Sequence, residues 1–246
     1  YNFVMNPKKV CIFIDGENLR HSISHLFTEF DKRTYLPRAD WGDFFDWVVE
    51  KVLPGSERVR TYWYVVKNVD FSPTNPSKFL NAQKDSFVRA ASNDLSFKSK
   101  FENANPANQE QLLNEKAVEL ERRKDEMTRR SKGWDELHEK IEGTFKSVEF
   151  RKVGTIRYDL FSKKLGDEKA VDVHLAVDMV TLKDIYDVAI ILSGDQDYVP
   201  AVKAVKNFGK QVVNIAFQKE NGQLLPGGAK RLGQTTDWSV QVTHAD

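Results

Sequence analysis

Short apolar runs that end in charged turns divide the chain into predicted strands and helices. Residues 188–192 form a continuous apolar run, and residues 9–14 form a similar one. Such runs are typical of strands that are buried on both faces of a sheet. Helical spacing follows each run, at residues 19–27 and 198–205, and Pro200 falls in a first helical turn, where proline is tolerated. The pattern predicts two strand–turn–helix units.

The remaining apolar pattern extends this alternation along the chain. The predicted strands are 58–66, 145–153, 211–217 and an edge strand at 237–242, and the predicted helices are 40–49, with Asp40 as its cap, 169–180 and 229–232. The order is β-α-β, a helical insertion, then β-α-β-α-β. Strands that alternate with helices favour an α/β fold with a mainly parallel sheet between helices.

Residues 68–143 interrupt the alternation and predict a helical insertion within a single domain spanning 1–246. A helix is predicted at 77–91, and further apolar residues recur at intervals of seven: Leu113, Leu120, Met127, Trp134 and Ile141. The seam is poor because Lys124 and Ser131 occupy companion positions, so a helical hairpin within the chain is favoured over a coiled coil. Homodimerisation or a protein partner through this insertion is the alternative. Gly133 is expected to break or bend the helix, and residues 154–165 are expected to be irregular and basic.

Composition narrows the class of protein. The chain has 246 residues, 40% hydrophobic and 30% charged, without an apolar run of membrane-spanning length, so no membrane association is expected. The N-terminus has no signal-peptide pattern, and the single cysteine, Cys11, suits a reducing compartment, which predicts a cytoplasmic protein. The net charge is +1, so nucleic acid would need a local basic patch.

Acidic residues follow the strongest predicted strands. Asp15 ends the first apolar run, Asp195 and Asp197 follow the run 188–192, and Asp172 begins the helix between them. Because the carboxyl ends of parallel strands meet at one sheet edge, we expect these four carboxylates to lie together. Mg²⁺ prefers oxygen ligands, and four adjacent negative charges would repel one another without a cation. The pattern predicts a metal-binding, catalytic edge.

Two polar residues could assist at this edge, and several acids have simpler interpretations. Asn18 and Ser193 could hold a metal-bound water or a phosphate oxygen. A single aspartate after a strand is more often a helix cap than a metal ligand. Asp178 lies roughly 9 Å beyond Asp172 along the helix, so we expect a structural role for it. His174 has no second histidine spaced for zinc.

Three motifs, at residues 12–19, 169–179 and 192–200, together resemble the NYN domain, most closely its LabA-like branch within the PIN-like nuclease superfamily. The resemblance covers 9–66 and 145–217 but not the insertion. It implies a Rossmann-like three-layer sandwich and Mg²⁺- or Mn²⁺-dependent endonuclease activity, on RNA more often than on DNA. It also implies that Asp15, Asp172, Asp195 and Asp197 bind the metal and that Asn18 matches the family's asparagine. Glu17 and Ala170 depart from the usual pattern.

Three functions are therefore compared. The favoured one is a metal-dependent endoribonuclease in which Arg20, Lys163 and Lys164 contact RNA phosphates, and Tyr158, Phe161 and Tyr198 stack on bases. The alternative is a catalytically inactive module that recruits RNA or a protein through the insertion. The third, a haloacid-dehalogenase-type phosphatase, ranks last. Glu17 supplies an acid two residues after Asp15, but the expected second aspartate and the threonine after it are missing.

Overall fold

The computed structural model describes residues 6–26, 39–225, 229–243 and 245–246. The strands are β1 Lys9–Asp15, β2 Glu57–Ser72, β3 Val148–Asp159, β4 Lys164–Lys169, β5 Val188–Leu192, β6 Gln211–Gln218, β7 Leu224–Leu225 and β8 Trp238–Val242. The helices are α1 Gly16–Leu26, α2 Trp41–Val52, α3 Pro76–Ala82, α4 Lys84–Ala91, α5 Leu95–Glu102, α6 Pro106–Thr144, α7 Val171–Thr181, α8 Val199–Asn207 and α9 Ala229–Thr235. Short 3₁₀ turns lie at Lys183–Ile185 and Gln196–Tyr198.

The chain divides into two compact units, each built from more than one segment. The first unit contains residues 1–65, 137–153 and 170–246, and the second contains 66–136 and 154–169. The second unit therefore includes residues 68–136 of the predicted insertion and also a segment that comes after it. The division falls within β2, α6 and β3, which each contribute residues to both units.

A mostly parallel sheet forms the centre of the first unit. β1 pairs in parallel with β2 and β5, β5 pairs in parallel with β6, and β8 also pairs in parallel with β6. Residues 10–14 are fully buried, as an apolar strand covered on both faces must be. The predicted α/β class with a mainly parallel sheet, compatible with a PIN-like sandwich, is confirmed.

Local sequence explains how the helices of this unit begin and what they cover. The Asp40 carboxylate accepts a hydrogen bond from the amide of Asp43 at 2.9 Å, so it caps α2 as predicted. The buried face of α2 packs against β1 and β2, where Phe45 and Trp41 surround Trp63, at ring-centroid distances of 5.9 and 4.8 Å. These contacts cover one face of the sheet and leave its carboxyl edge to the loops.

The second unit has a small core of its own. Leu113 and Leu120 of α6, both fully buried, share a cluster with Phe87 of α4 and Leu160. This confirms the predicted packing of the heptad-spaced helix against a neighbouring helix of the same chain. The stripe does not continue through Trp134, whose side chain is 42% exposed.

Three local predictions for this region are wrong. The predicted helix 77–91 is two helices separated at Gln83, whose backbone leaves the helical region (φ −143°, ψ 58°). Gly133 does not break α6, because the roughly 1 kcal/mol cost of a helical glycine is small beside the hydrogen bonds of a long helix. The segment 154–165 is not irregular: Thr155 to Asp159 pair antiparallel with 164–169.

In the part of the chain that the structure describes, no helix is both long and apolar enough to span a membrane.

Candidate functional site

The carboxyl ends of two adjacent strands place Asp15 beside Ser193. β1 and β5 run parallel with Ile14 opposite Leu192, so the next residue of each chain segment emerges at the same edge. The Ser193 hydroxyl donates to Oδ2 of Asp15 at 3.3 Å. Ser193 thus lies beside the first acid, and its contact with a metal-bound water or a phosphate oxygen stays a prediction.

Asn18 holds the Asp15 carboxylate from one helical turn away. Its backbone amide donates to Oδ1 of Asp15 at 3.0 Å, and its side-chain amide donates to Oδ2. Asp15 is only 2% exposed, so these bonds replace the water that a surface carboxylate would keep. Asn18 therefore orients the acid.

Tyr198 connects Asp15 to Asp172. The phenolic oxygen lies 3.1 Å from Oδ2 of Asp15 and 2.7 Å from Oδ1 of Asp172. The shared phenolic oxygen thus holds the two carboxylates close together, although they come from different elements. A phenol has one proton, so it can donate to one carboxylate at a time. The second contact becomes a hydrogen bond when the other carboxyl is protonated.

Burial and a neighbouring negative charge alter the ionisation of this network. Burial, with the charge of Asp172, raises the pKa of Asp15 from 3.8 to about 6, against the lowering effect of its bonds from Asn18 and Tyr198. Burial and the two carboxylates also raise the pKa of Tyr198, so the phenol stays protonated. In the acidic range Asp15 can therefore donate to the phenolic oxygen while Tyr198 donates to Asp172.

Asp195 and Asp197 shape the turn after β5. The amide of Asp195 donates to the Ser193 hydroxyl at 3.1 Å, and the amide of Asp197 donates to Oδ1 of Asp195 at 2.9 Å. Asp195 therefore caps the 3₁₀ turn, which was the simpler interpretation of an aspartate after a strand. One Asp195 oxygen is committed to this bond.

A groove of about 470 Å³ runs from the acidic residues along α7. Asp172 and Asp197 line its polar end, while Val173 and Val177, 64% and 50% exposed, line its apolar side. Asp172 therefore faces two neighbours: the buried Tyr198 and the open groove. The groove gives a substrate access to this carboxylate.

Two tyrosines complete the region. Tyr64, at the register position opposite Asp15, donates through its hydroxyl to Asp178 at 2.7 Å. This bond gives Asp178 a structural partner away from Asp172.

Sequence reasoning missed Tyr64, and it assigned Tyr198 to base stacking. That assignment is wrong, because the side chain of Tyr198 is fully buried. The apolar run around each tyrosine gave the available indication that it is buried.

The predicted basic residues lie in different surroundings. Arg20 is exposed and forms an ion pair with Glu17 on α1. Lys163 and Lys164 are exposed residues of the second unit, where Lys163 has a positive φ of 59° in the turn before β4. Contact of these three residues with substrate stays a prediction.

The donor chemistry of the acidic edge fits a hard divalent cation. All four carboxylates supply oxygen, and no ion pair neutralises them within the described residues. The charge of Asp172 helps raise the pKa of Asp15, which shows the electrostatic cost that a cation would remove. No group of three or more His, Cys, Asp or Glu is gathered at metal-binding distance in the ranges that the structure covers. In these ranges the four carboxylates therefore do not form the one gathered cluster that the sequence had led us to expect.

The mostly parallel sheet with acids at its carboxyl edge defines an α/β protein whose fold is compatible with a PIN-like sandwich. Residues 115–225 match the family model of the NYN domain, which supports the resemblance seen in the sequence motifs. Asp172, Asp195 and Asp197 lie inside the matched range, and Asp15 precedes it.

Two further comparisons add little. A crystal structure of a protein of unknown function from Vibrio parahaemolyticus is similar with a TM-score of 0.43 and 14% identity, covering 97% of this chain and 96% of that chain. At this TM-score the likeness supports no functional argument. No curated protein matches the chain.

Proposed function

We propose that the chain is an endoribonuclease that hydrolyses RNA phosphodiester bonds at the edge formed by Asp15, Asp172, Asp195 and Asp197, and that it belongs to the LabA-like branch. One observation carries the proposal: carboxylates from separate elements, Asp15 and Asp172, meet at one tyrosine hydroxyl, in a chain whose residues 115–225 match the NYN domain. The groove beside Asp172 provides room for a phosphate group.

A Mg²⁺ or Mn²⁺ ion is the proposed cofactor, with Asp15, Asp172, Asp195 and Asp197 as its ligands. Such an ion supplies a more acidic bound water and neutralises charge on the phosphate. The side chains around the ligands determine where the carboxylates point. Asn18, Ser193 and Tyr198 hold Asp15, while Tyr198 also fixes one oxygen of Asp172.

The basic residues have a separate proposed task. Lys163 and Lys164 are exposed and carry charges that can contact the RNA backbone. Arg20 is proposed to do the same, and a phosphate would have to compete with Glu17 for its guanidinium. Surface ion pairs of this kind contribute about 0–1 kcal/mol, so replacing Glu17 by a phosphate at Arg20 costs little free energy.

Cleavage of a labelled single-stranded RNA with Mg²⁺, with Mn²⁺ or with a chelator tests the proposal. The parent should cleave with either metal and stop with chelator. Asp195→Asn should reduce the rate at least about a hundredfold, since it removes a charge from the site while keeping a side chain that can cap the turn.

Asp184→Asn is the matched control for this experiment, because Asp184 is an exposed aspartate of the same unit paired with Lys183. It should cleave like the parent. Equal rates for Asp195→Asn and the parent would exclude the assigned chemistry.

A second candidate is a non-cleaving module that recruits RNA or a protein through the insertion, or dimerises through it. The spread of the acids favours it, since no three of them are gathered in the described residues. Val118, 58% exposed on α6, and the exposed Trp134 offer apolar contacts in the second unit. RNA binding without metal-dependent cleavage, or a dimer in light scattering that Trp134→Ala disrupts, would favour this candidate.

A further inference from the structure

The second unit contains a concave surface that the acidic site does not use. This surface, called here the insertion groove, has a volume of about 730 Å³ and is lined by Phe71, Phe79, Phe161, Arg157, Lys169 and Asp70. Its size lies within the range of about 300–1,000 Å³ typical of ligand sites.

The aromatic wall of the insertion groove is partly exposed. Phe71, Phe79 and Phe161 are half-buried, whereas Phe87 behind them is fully buried. Phe161 packs edge-on against Phe87 with centroids 5.3 Å apart, and Phe79 lies 6.5 Å from Phe161. The core anchors these rings while part of each remains accessible. A flat apolar ligand would cover that surface.

Hydrogen bonds hold the wall in position. The Arg123 guanidinium donates to the carbonyl oxygens of Leu160 and Phe161 at 2.8 and 3.2 Å. The amide of Leu160 donates to the carbonyl of Ser72 at 2.8 Å, which joins the far ends of β2 and β3. The groove is therefore built on paired backbone, so its rings are pre-positioned for a ligand.

Cationic and acidic groups share the rim with these rings. Arg157 is exposed and donates to the Ser72 hydroxyl at 2.6 Å, and Lys169 is exposed on β4. Lys124 lies 5.8 Å from the centre of the Phe71 ring. Asp70 is an exposed acceptor at the same groove. Rings, cations and an acceptor thus lie within one concavity.

We propose that the insertion groove binds single-stranded RNA. The choice of RNA as the ligand rests on the proposed function. Bases stack on the phenylalanine rings, and Arg157 and Lys169 contact phosphates. Asp70 accepts a hydrogen bond from a ribose 2′-hydroxyl, a group that DNA lacks.

Fluorescence anisotropy of the full chain with a labelled oligouridine, in chelator, tests this site without cleavage. Arg157→Ala should weaken binding and reduce the slope of log affinity against log salt by about one phosphate contact. Phe71→Ala should weaken binding about fivefold or more. Lys98→Ala, an exposed lysine of the same unit outside the groove, should bind like the parent.

A cross-linking experiment keeps the proposal falsifiable if Phe71→Ala fails to fold. An oligonucleotide containing 4-thiouridine should cross-link to peptides within residues 70–79 or 155–169 of the parent protein. Cross-links confined to other segments, unchanged affinity in Arg157→Ala, or equally tight binding of the same sequence as DNA would overturn the proposal.

The two proposals fail separately. Asp195→Asn should keep the parent's affinity for oligouridine in chelator while losing cleavage. If the parent binds through the groove but does not cleave, the nuclease assignment falls and the groove stands. If the parent cleaves and the groove variants bind and cleave normally, the groove assignment falls alone.

Discussion

The phenolic oxygen of Tyr198 lies 2.7 Å from a carboxylate oxygen of Asp172. This contact connects the turn after β5 to the first turn of α7, two elements that are 26 residues apart in the chain. Since the same oxygen also contacts Asp15, one buried tyrosine sets the spacing of two candidate metal ligands. The orientation of the acidic edge thus depends on a side chain with no charge of its own.

Tyr198→Phe should destabilise the protein by about 1–3 kcal/mol, because it leaves the buried Asp15 carboxyl without one of its partners. Urea unfolding at neutral pH measures the change. Tyr62→Phe, a buried ring away from the acidic edge, serves as the control and should cost less stability than Tyr198→Phe, because it leaves no buried carboxyl without a partner. Equal stabilities for Tyr198→Phe and the parent would show that the network is energetically unimportant.

The raised pKa of Asp15 predicts the direction of a pH effect. Its folded pKa of about 6 lies above the ordinary 3.8, so the folded state holds the proton more tightly, and ionisation of Asp15 costs stability. This cost is absent below about pH 4, grows between pH 4 and 6, and is complete above that range. It amounts to something on the order of 3 kcal/mol.

Asp15→Asn should remove this cost. Relative to the parent, its free energy of unfolding in chelator should therefore increase as the pH rises from 4 to 7. Unfolding curves of both proteins across this range provide the measurement. A pH-independent difference between them would show that Asp15 titrates normally.

Two aspartates of α7 should separate chemistry from stability. Asp172→Asn should reduce RNA cleavage at least about a hundredfold, because its carboxylate faces the groove. Asp178→Asn alters the acceptor of the Tyr64 hydroxyl, so it should lower stability by about 1 kcal/mol while cleavage at a temperature where it is folded persists. Cleavage rates and unfolding midpoints of both variants test the two roles. Loss of cleavage in Asp178→Asn and loss of stability alone in Asp172→Asn would reverse the assignments.

Two glycines should respond to alanine with opposite signs. A Cβ on Gly16 would lie 2.5 Å from the carbonyl oxygen of Tyr64, so Gly16→Ala should cost about 1–3 kcal/mol. A Cβ on Gly133 would meet nothing within 4 Å inside α6, so Gly133→Ala should stabilise by about 0.5–1 kcal/mol. Thermal unfolding distinguishes the two, and stabilisation by Gly16→Ala would contradict the close approach of β2.

The sequence by itself determined the elements whose residues carry a local pattern. The apolar run at 188–192, the Asp40 cap and the alternation of strands and helices each depend on interactions between near neighbours, so their period predicts them. The acidic residues after β1 and β5 were also predictable, because adjacent parallel strands must release their ends at one edge.

The tertiary structure alone decided which side chains meet. Tyr198 reads as a ring available for stacking, yet packing buries it between Asp15 and Asp172, and Tyr64 finds Asp178 more than a hundred residues away. Strands formed within 154–165, where composition suggested an irregular segment, because pairing of β3 with β4 outweighs a weak local preference. The local pattern therefore specified which chain positions place acidic residues at the ends of strands, and long-range packing specified which partners orient those residues.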